Sequence, residues 1–266
     1  MPTKLDNYTF QDFGLIEEFG HVHPSTPEFS DKTISIPGRP GLLSFGTQIG
    51  AKQFTFSLKV FVRDRYERQR RKNNFVAFLF DAYRQPKTFK LTLDYEPDKY
   101  YLAKVSSQIT PEMLAVMDQF ELTVVANDPD KYFISKSNEI TWENDVIPIY
   151  SDILWMTGKG IYTITSPTTI EIVNNGTLAQ RANFTINGTG TNVTFQANGK
   201  SFSLGTFRNT TFEIDGKTYS VKKNGIDSFS MLSGKFIELL PGINNLKITG
   251  TSLNFTISEN MRYSYM

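Results

Sequence analysis

Hydrophobic and polar positions alternate with a period of two along several segments of the first half of the chain. Residues 53–62 place five apolar side chains on one face: Phe54, Phe56, Leu58, Val60 and Val62. A second alternating segment contains Phe120, Leu122, Val124 and Ala126. Residues 88–95 and 100–106 flank the turn sequence Glu96-Pro97-Asp98, a pattern that is typical of a hairpin. We therefore predict two half-buried strands and one hairpin in this half.

Residues 64–83 predict the only substantial helix of the chain. The first half of this segment is charged on every side, within the basic run of residues 63–72. The second half, residues 75–80, is apolar all round, and we expect it to be buried. Because Asp64 and Glu67 interrupt the basic run, a solvated helix face or a subunit contact is favoured over specific DNA binding. Weak, salt-dependent contact with passing DNA stays open.

The second half of the chain has a different pattern, in which short apolar–polar alternations are separated by Asn-Gly and Asp-Gly turns. Asn-Gly and Asp-Gly favour the positive φ angles of type I′ hairpin turns. Five such dipeptides occur, at Asn175-Gly176, Asn187-Gly188, Asn198-Gly199, Asp215-Gly216 and Asn224-Gly225. Strands at this spacing predict a β-sandwich or barrel.

The change of pattern predicts a mainly β protein of two domains. A length of 266 residues is consistent with two domains, since one core rarely grows beyond about 200 residues. We place an N-terminal domain at residues 1–135, a linker at 136–150 and a C-terminal sandwich domain at 151–266.

Composition and charge exclude several classes of function and of binding site. The 28 basic and 27 acidic residues give a net charge of +1, which argues against non-specific binding to nucleic acid or membranes through a strong overall field. The chain has no cysteine, so disulfides and thiolate metal sites are excluded. The sequence contains no run of 18 apolar residues, which would predict a membrane span. Residues 1–20 contain no apolar segment of the kind found in signal peptides. We therefore expect synthesis in the cytoplasm without secretion.

Candidate catalytic and metal-binding residues are few. His21 and His23 are the only histidines, and two histidines two positions apart on a strand point the same way and can share a metal ion. No Cys, Asp or Glu residue stands at a spacing from the two histidines that identifies it as a third ligand. We therefore favour the interpretation that the two histidines lie in a loop and bind no metal. No serine or cysteine nucleophile sits in a recognisable motif beside a base. We predict that the chain is not an enzyme and uses no cofactor.

Several short motifs in a fixed order resemble those of the distal tail protein (Dit) family of siphophages that infect Gram-positive bacteria. The motifs are Ile34-Ser35-Ile36-Pro37-Gly38-Arg39-x-Gly41, the helix at 64–83, Tyr100-Tyr101-Leu102-Ala103, Asn127-Asp128-Pro129, Ser233-Gly234-Lys235-Phe236 and Leu240-Pro241-Gly242-Ile243-Asn244. They extend over essentially the whole chain. Pro40 departs from the family, in which an acidic residue is commoner at this position.

The resemblance implies a tail-tube-like N-terminal β-sandwich with one α-helix and a protruding hairpin, followed by a galectin-like C-terminal β-sandwich. It also implies a structural virion protein that forms a homohexameric ring, single or stacked, as the hub at the distal end of a long non-contractile tail. The implied partners are the tail tube protein, a tail-associated hub or lysin protein and, in some members, a receptor-binding protein. DNA would pass through the ring as cargo, and no membrane partner is implied.

Two sets of residues are candidates for contacts. The first set consists of apolar residues in the N-terminal loops: Phe10, Phe13, Leu15, Ile16 and Phe19. These residues form either a subunit interface or a chain end that folds back onto its own core. The alternative function is a carbohydrate-binding module that contacts the host cell wall, and Trp142 and Trp155 are its candidates for stacking on a sugar ring. A cell-wall hydrolase domain is the weaker alternative, because no catalytic constellation is present.

Overall fold

The computed structural model describes residues 2–140, 147–149, 151–153 and 160–266. The chain divides into two compact units, Met1–Lys131 and Tyr132–Met266. The predicted linker at 136–150 lies partly outside the described residues. Strands predominate in both units, which confirms the mainly β prediction. No helix in the described part is long and apolar enough to cross a membrane.

The N-terminal unit contains ten strands, and an eleventh begins at its end. They are β1 (Lys4–Leu5), β2 (Tyr8–Thr9), β3 (Ile16–Glu17), β4 (Phe29–Ser35), β5 (Leu42–Ile49), β6 (Lys52–Phe61), β7 (Phe89–Thr92), β8 (Lys99–Val105), β9 (Glu112–Met113), β10 (Met117–Ala126) and β11 (Lys131–Phe133). The main sheet of this unit has the order β2-β1-β7-β8-β10-β6-β3, and β9 pairs with β10. The predicted strands at 53–62 and around Phe120 are confirmed as β6 and β10, and the predicted hairpin as β7 and β8.

The core of the N-terminal unit lies against the inward faces of these strands. On β6 the alternating residues Phe54, Phe56, Leu58 and Val60 are all at most 1% exposed. They meet the inward residues of β10, β7 and β8 in one apolar cluster. Val62 lies just beyond β6 and is only partly buried. Burial of one face and exposure of the other is what the period of two predicted.

The helix α1 spans Arg65–Leu79 and begins at Asp64, whose side chain accepts a hydrogen bond from the Tyr66 backbone N–H. Such a cap satisfies one of the free amides of the first turn. The prediction of a wholly buried second half is wrong in part, because Phe75 and Leu79 are buried whereas Val76 is 41% exposed. The helix therefore buries one stripe, not its whole circumference.

Eleven further strands lie in the described part of the C-terminal unit. They are β12 (Ile161–Ile164), β13 (Thr168–Asn174), β14 (Gln180–Arg181), β15 (Asn183–Ala197), β16 (Lys200–Asp215), β17 (Ser220–Lys223), β18 (Ile226–Asp227), β19 (Ser233–Gly234), β20 (Glu238–Leu239), β21 (Gly242–Glu259) and β22 (Ser264–Tyr265). The large sheet has the order β12-β21-β15-β16-β17-β18, with β13 paired to β21 and β19 to β16. A separate two-stranded sheet joins β14 and β20.

Three long strands, β15, β16 and β21, carry most of the core of the C-terminal unit. The register of β15 shifts between Gly188 and Thr194, which marks bulges that bend the strand. Gly188 has a φ of 144°, and a Cβ there would overlap the carbonyl oxygen of Asn254 on β21. Only glycine allows this close approach of two strands.

The turn predictions for the second half are correct at two of the five dipeptides. Asn198-Gly199 joins β15 to β16 and Asn224-Gly225 joins β17 to β18, and all four residues have positive φ. At the other three the predicted type I′ turn is wrong, although Asp215-Gly216 does open the turn that joins β16 to its antiparallel partner β17. Asn187-Gly188 lies inside β15, and neither Gly176 nor Gly216 has a positive φ. A dipeptide with turn propensity can therefore also mark a bulge inside a long strand.

Candidate assembly surface

A hairpin formed by β4 and β5 stands apart from both the main sheet and the core of the N-terminal unit. The two strands pair only with each other among the described residues, from Phe29–Ile49 at the base to Ser35–Leu42 near the tip. Pro37 and Gly38 turn the chain between them, and Gly38 has a φ of 82°. The motif at residues 34–41 therefore forms the tip of this hairpin.

Nearly every residue of this hairpin is exposed. All seven residues of β4 are exposed, and in β5 only Leu43 is partly buried. Six large apolar side chains are between 41% and 66% exposed: Phe29, Ile34, Ile36, Leu42, Phe45 and Ile49. A two-stranded hairpin in water is marginally stable at best, so these side chains require a partner surface for a well-ordered structure.

The five apolar residues predicted as a subunit interface differ in their exposure to solvent. Phe10 and Leu15 are at most 2% exposed and belong to the core, so they cannot contact another subunit. The ring of Phe13 packs 5.3 Å from Phe75 and 5.1 Å from Phe78 on the helix. Ile16 is 45% exposed, and Phe19 is fully exposed. The interface prediction therefore rests on Ile16 and Phe19 alone.

The segment that carries Phe19 is attached to β6 and continues into the hairpin. Val22 and Thr55 exchange two backbone hydrogen bonds of 3.0 and 3.1 Å. The rings of His21 and His23 stack at 4.9 Å between centroids, and His23 lies 5.0 Å from the Phe56 ring. Burial and, to a lesser extent, the neighbouring His21 lower the pKa of His23. The neutral form of His23 is therefore favoured at neutral pH.

The two histidines do lie together as the sequence predicted, and their neighbours are few. His23 Nδ1 is 3.0 Å from the Tyr95 hydroxyl, and His21 Nδ1 is 3.8 Å from a Glu17 oxygen. In the described part of the chain, no group of three His, Asp or Glu side chains is arranged to hold a metal ion. The stacked pair packs against the Phe56 ring of β6.

A buried ionic cluster joins the helix to β10, and the sequence analysis missed it. Asp118 is 2% exposed and accepts from Lys72 Nζ at 2.5 Å, with Arg68 Nε at 3.2 Å. Arg68 also donates to the backbone oxygens of Val62, Arg63 and Leu114. The expectation of a solvated first half of the helix is therefore wrong at Arg68 and Lys72. The signal was Asp118, an acid at an inward position of a strand, which requires a buried partner.

The outward face of β6 and β10 is polar. A depression of about 440 Å³ is lined there by Ser57 and Thr123 together with the acidic residues Glu18, Glu112 and Glu121. The Glu18 carboxylate pairs with Lys59. The two other acids lack an ion pair among the described residues, so this face has an excess of negative charge.

The two tryptophans proposed for sugar stacking, Trp142 and Trp155, lie outside the described residues. Their placement in a sugar site stays a prediction.

Comparison with known proteins supports the resemblance found in the sequence. Residues 8–126 match the family of the phage tail protein RIFT-related domain. No curated protein sequence matches the chain. The crystal structure of the Dit (gp 19.1) protein of SPP1, a hub adsorption apparatus protein of phages that infect Gram-positive bacteria, is similar over 98% of both chains. Its TM-score is 0.69 at 16% sequence identity.

Two structures of the phage P2 baseplate in its activated conformation, with Ca and with Sr, are more distant. They match at TM-scores of 0.41 and 0.42 and 10% identity, over 96% and 94% of this chain and 92% of each matched chain. The family match and the fold shared with the SPP1 protein confirm the resemblance to Dit proteins.

Proposed function

We propose that this chain, a Dit-like phage tail protein, is the structural hub at the distal end of a long non-contractile tail. In this role it assembles with copies of itself into a hexameric ring and joins the tail tube to the proteins of the tail tip. It acts as a scaffold and not as an enzyme. Its location is the tail of the virion.

The observation that carries this proposal is the unpartnered hairpin of β4 and β5. Rings close through heterologous contacts, in which one surface of a subunit binds a different surface of the next. A hairpin with six exposed apolar side chains and no core of its own fits one side of such a contact. Ile16 and Phe19, which precede the hairpin in the chain, are two further exposed apolar side chains that can take part in such a contact.

The polar outward face of β6 and β10 fits the wall of a channel. Glu112 and Glu121 give this face its excess of negative charge, and DNA carries a negative charge on each phosphate. A wall of like charge repels the phosphates, so DNA passes without adhering. The proposed partners are therefore other copies of this chain, the tail tube protein and a tail-tip protein, with a receptor-binding protein as a further candidate.

The decisive experiment is the mass of the full-length protein by light scattering, combined with negative-stain images. One chain has a mass of 30.3 kDa, so a hexamer has about 180 kDa and a stacked pair of rings twice that. We expect a ring with a central hole at high protein concentration.

The hairpin is tested in the same assay with the variant Phe45→Asp, which places a charge on its exposed apolar surface. We expect this variant to remain folded and to have the mass of a monomer by light scattering. The matched control is Ile243→Asp, because Ile243 has the same exposed fraction of 66% but lies in the C-terminal unit. A monomeric wild-type protein at all concentrations, or an intact ring with Phe45→Asp, would contradict the proposal.

A further inference from the structure

Three aromatic side chains contact one another on the surface of the C-terminal unit. Phe229 and Tyr219 are 58% and 49% exposed, and Phe236 lies between them and packs against the core. The Phe229 and Phe236 rings are 6.2 Å apart and within 26° of parallel. Tyr219 meets Phe236 edge to face at 5.3 Å. We call these three residues the aromatic cluster.

A row of charged side chains continues directly from the aromatic cluster. The Arg181 guanidinium lies 4.7 Å over the Tyr219 ring. Arg181 Nε is 3.6 Å from the carboxylate of Glu238, its partner in the sheet of β14 and β20. Lys200 Nζ binds the other oxygen of Glu238 at 2.5 Å. Rings, hydrogen-bond donors and an acceptor therefore lie side by side on one surface.

The backbone of Tyr219 is strained where it enters this surface. Its φ is 54°, in the left-handed region that a bulky residue rarely adopts. Such conformations are unfavourable for a bulky residue and are often found at functional sites. The half-exposed ring of Tyr219 lies between Arg181 and Phe236.

The size of the aromatic cluster fits a small ligand better than a protein partner. An aromatic side chain buries about 150–250 Å² in total, so one that is 58% exposed, one that is 49% exposed and one that is mostly buried together expose roughly 300 Å². A stable protein interface buries about 800 Å² on each partner. An exposed apolar area of this size covers one or two sugar rings, and it is well below the total area that a stable protein interface buries on one partner.

We propose that the aromatic cluster and the adjacent Arg181–Glu238–Lys200 row form a saccharide-binding site. The apolar C–H face of a pyranose ring stacks on Phe229 and Phe236. The sugar hydroxyls donate to the Glu238 carboxylate and accept from Arg181 and Lys200, which together supply both hydrogen-bonding roles. This site is independent of ring assembly, because all of its residues lie in the C-terminal unit. It also differs from the tryptophan pair predicted from the sequence.

The test is saturation-transfer NMR on the full-length protein with glucose, galactose, N-acetylglucosamine and glucuronic acid as probes. We expect at least one of these sugars to receive saturation, strongest at the protons of one face of its ring. Phe229→Leu keeps an apolar side chain but removes the flat face, and we expect about tenfold weaker binding. Phe229→Tyr keeps the ring and should bind as the wild type does.

Arg181→Lys and Ile243→Ala complete the experiment. The lysine keeps the charge but loses the planar fork, so we expect weaker sugar binding. Ile243→Ala removes an exposed apolar side chain outside the proposed site and should change nothing. If none of the four sugars is saturated, or if Phe229→Leu binds them as well as the wild type, the proposal is wrong. The aromatic cluster would then be assigned to a protein contact.

Discussion

Two hairpins of this protein contain similar residues and lie in opposite environments. In the C-terminal unit, β15 and β16 meet at Asn198-Gly199, and their inward rings Phe195 and Phe202 are buried and stacked at 4.9 Å. In the N-terminal unit, β4 and β5 meet near Pro37-Gly38, and Phe29 and Phe45 are exposed. The first hairpin pairs with β21 as a third strand, whereas the second has no further strand beside it in the described part of the chain.

The comparison shows that apolar residues in a strand predict burial without identifying the molecule that supplies it. Burial of apolar surface contributes about 25 cal/mol per Å². In β15 and β16 this stabilisation is obtained within the folded unit. The exposed apolar side chains of β4 and β5 do not obtain this stabilisation within their own chain, so their burial can stabilise an association with another molecule. A hairpin of this kind is therefore a surface for assembly, and the difference is measurable.

The largest effect is expected in the buried hairpin. Phe195 is fully buried, so Phe195→Ala removes apolar contacts and leaves a cavity. We expect the free energy of unfolding of the C-terminal unit to fall by about 3–5 kcal/mol, measured by urea denaturation. Phe195→Leu, which conserves most of the volume, should cost less than about 1.5 kcal/mol. Equal losses in the two variants would contradict this assignment of Phe195 to a tightly packed core.

A smaller effect concerns Glu259, at the end of the strand β21 that supports the buried hairpin. This side chain is 4% exposed, and burial raises its pKa from the ordinary 4.5 to about 7, partly opposed by a hydrogen bond from Ser137. Because the folded state favours the protonated form, the contribution of Glu259 to stability is fully present below pH 4.5 and is lost as the pH rises through about 7. The difference of pKa corresponds to at most about 3 kcal/mol.

Glu259→Gln tests this pH dependence. The amide stays neutral, so the variant should be more stable than the wild type above pH 7, by at most about 3 kcal/mol. Below pH 4.5 the two proteins should have nearly equal stability. Urea denaturation at pH 4, 6 and 8 measures the difference. A constant difference between the two proteins at all three pH values would show that Glu259 does not titrate in this range.

The sequence predicted those parts of the fold that depend on local patterns. The period of two located β6 and β10, because one face of each strand is buried and the other is not. Asp64 was the correct start of the helix, because capping depends on neighbouring residues. Asn187-Gly188 was misread as a turn, since a bulge inside β15 uses the same dipeptide and depends on the distant Asn254.

The sites were less predictable because they depend on contacts between distant positions. Lys72 and Asp118 are 46 positions apart, and no local pattern joins them. The aromatic cluster of Tyr219, Phe229 and Phe236 is assembled from three separate segments of the C-terminal unit. The sequence also gives no sign that the β4–β5 hairpin is exposed, because Ile34, Ile36 and Leu42 have the spacing of ordinary core residues.

The smallest effect on stability is expected in the exposed hairpin. Phe45 is 66% exposed, so Phe45→Ala removes little buried surface from the monomer. We expect the free energy of unfolding of the N-terminal unit to change by less than about 0.5 kcal/mol, measured by urea denaturation at low protein concentration. Light scattering at high concentration should instead show weaker assembly. A loss of several kcal/mol in the monomer would show that the hairpin is stabilised within its own subunit, and the contrast between the two hairpins would then disappear.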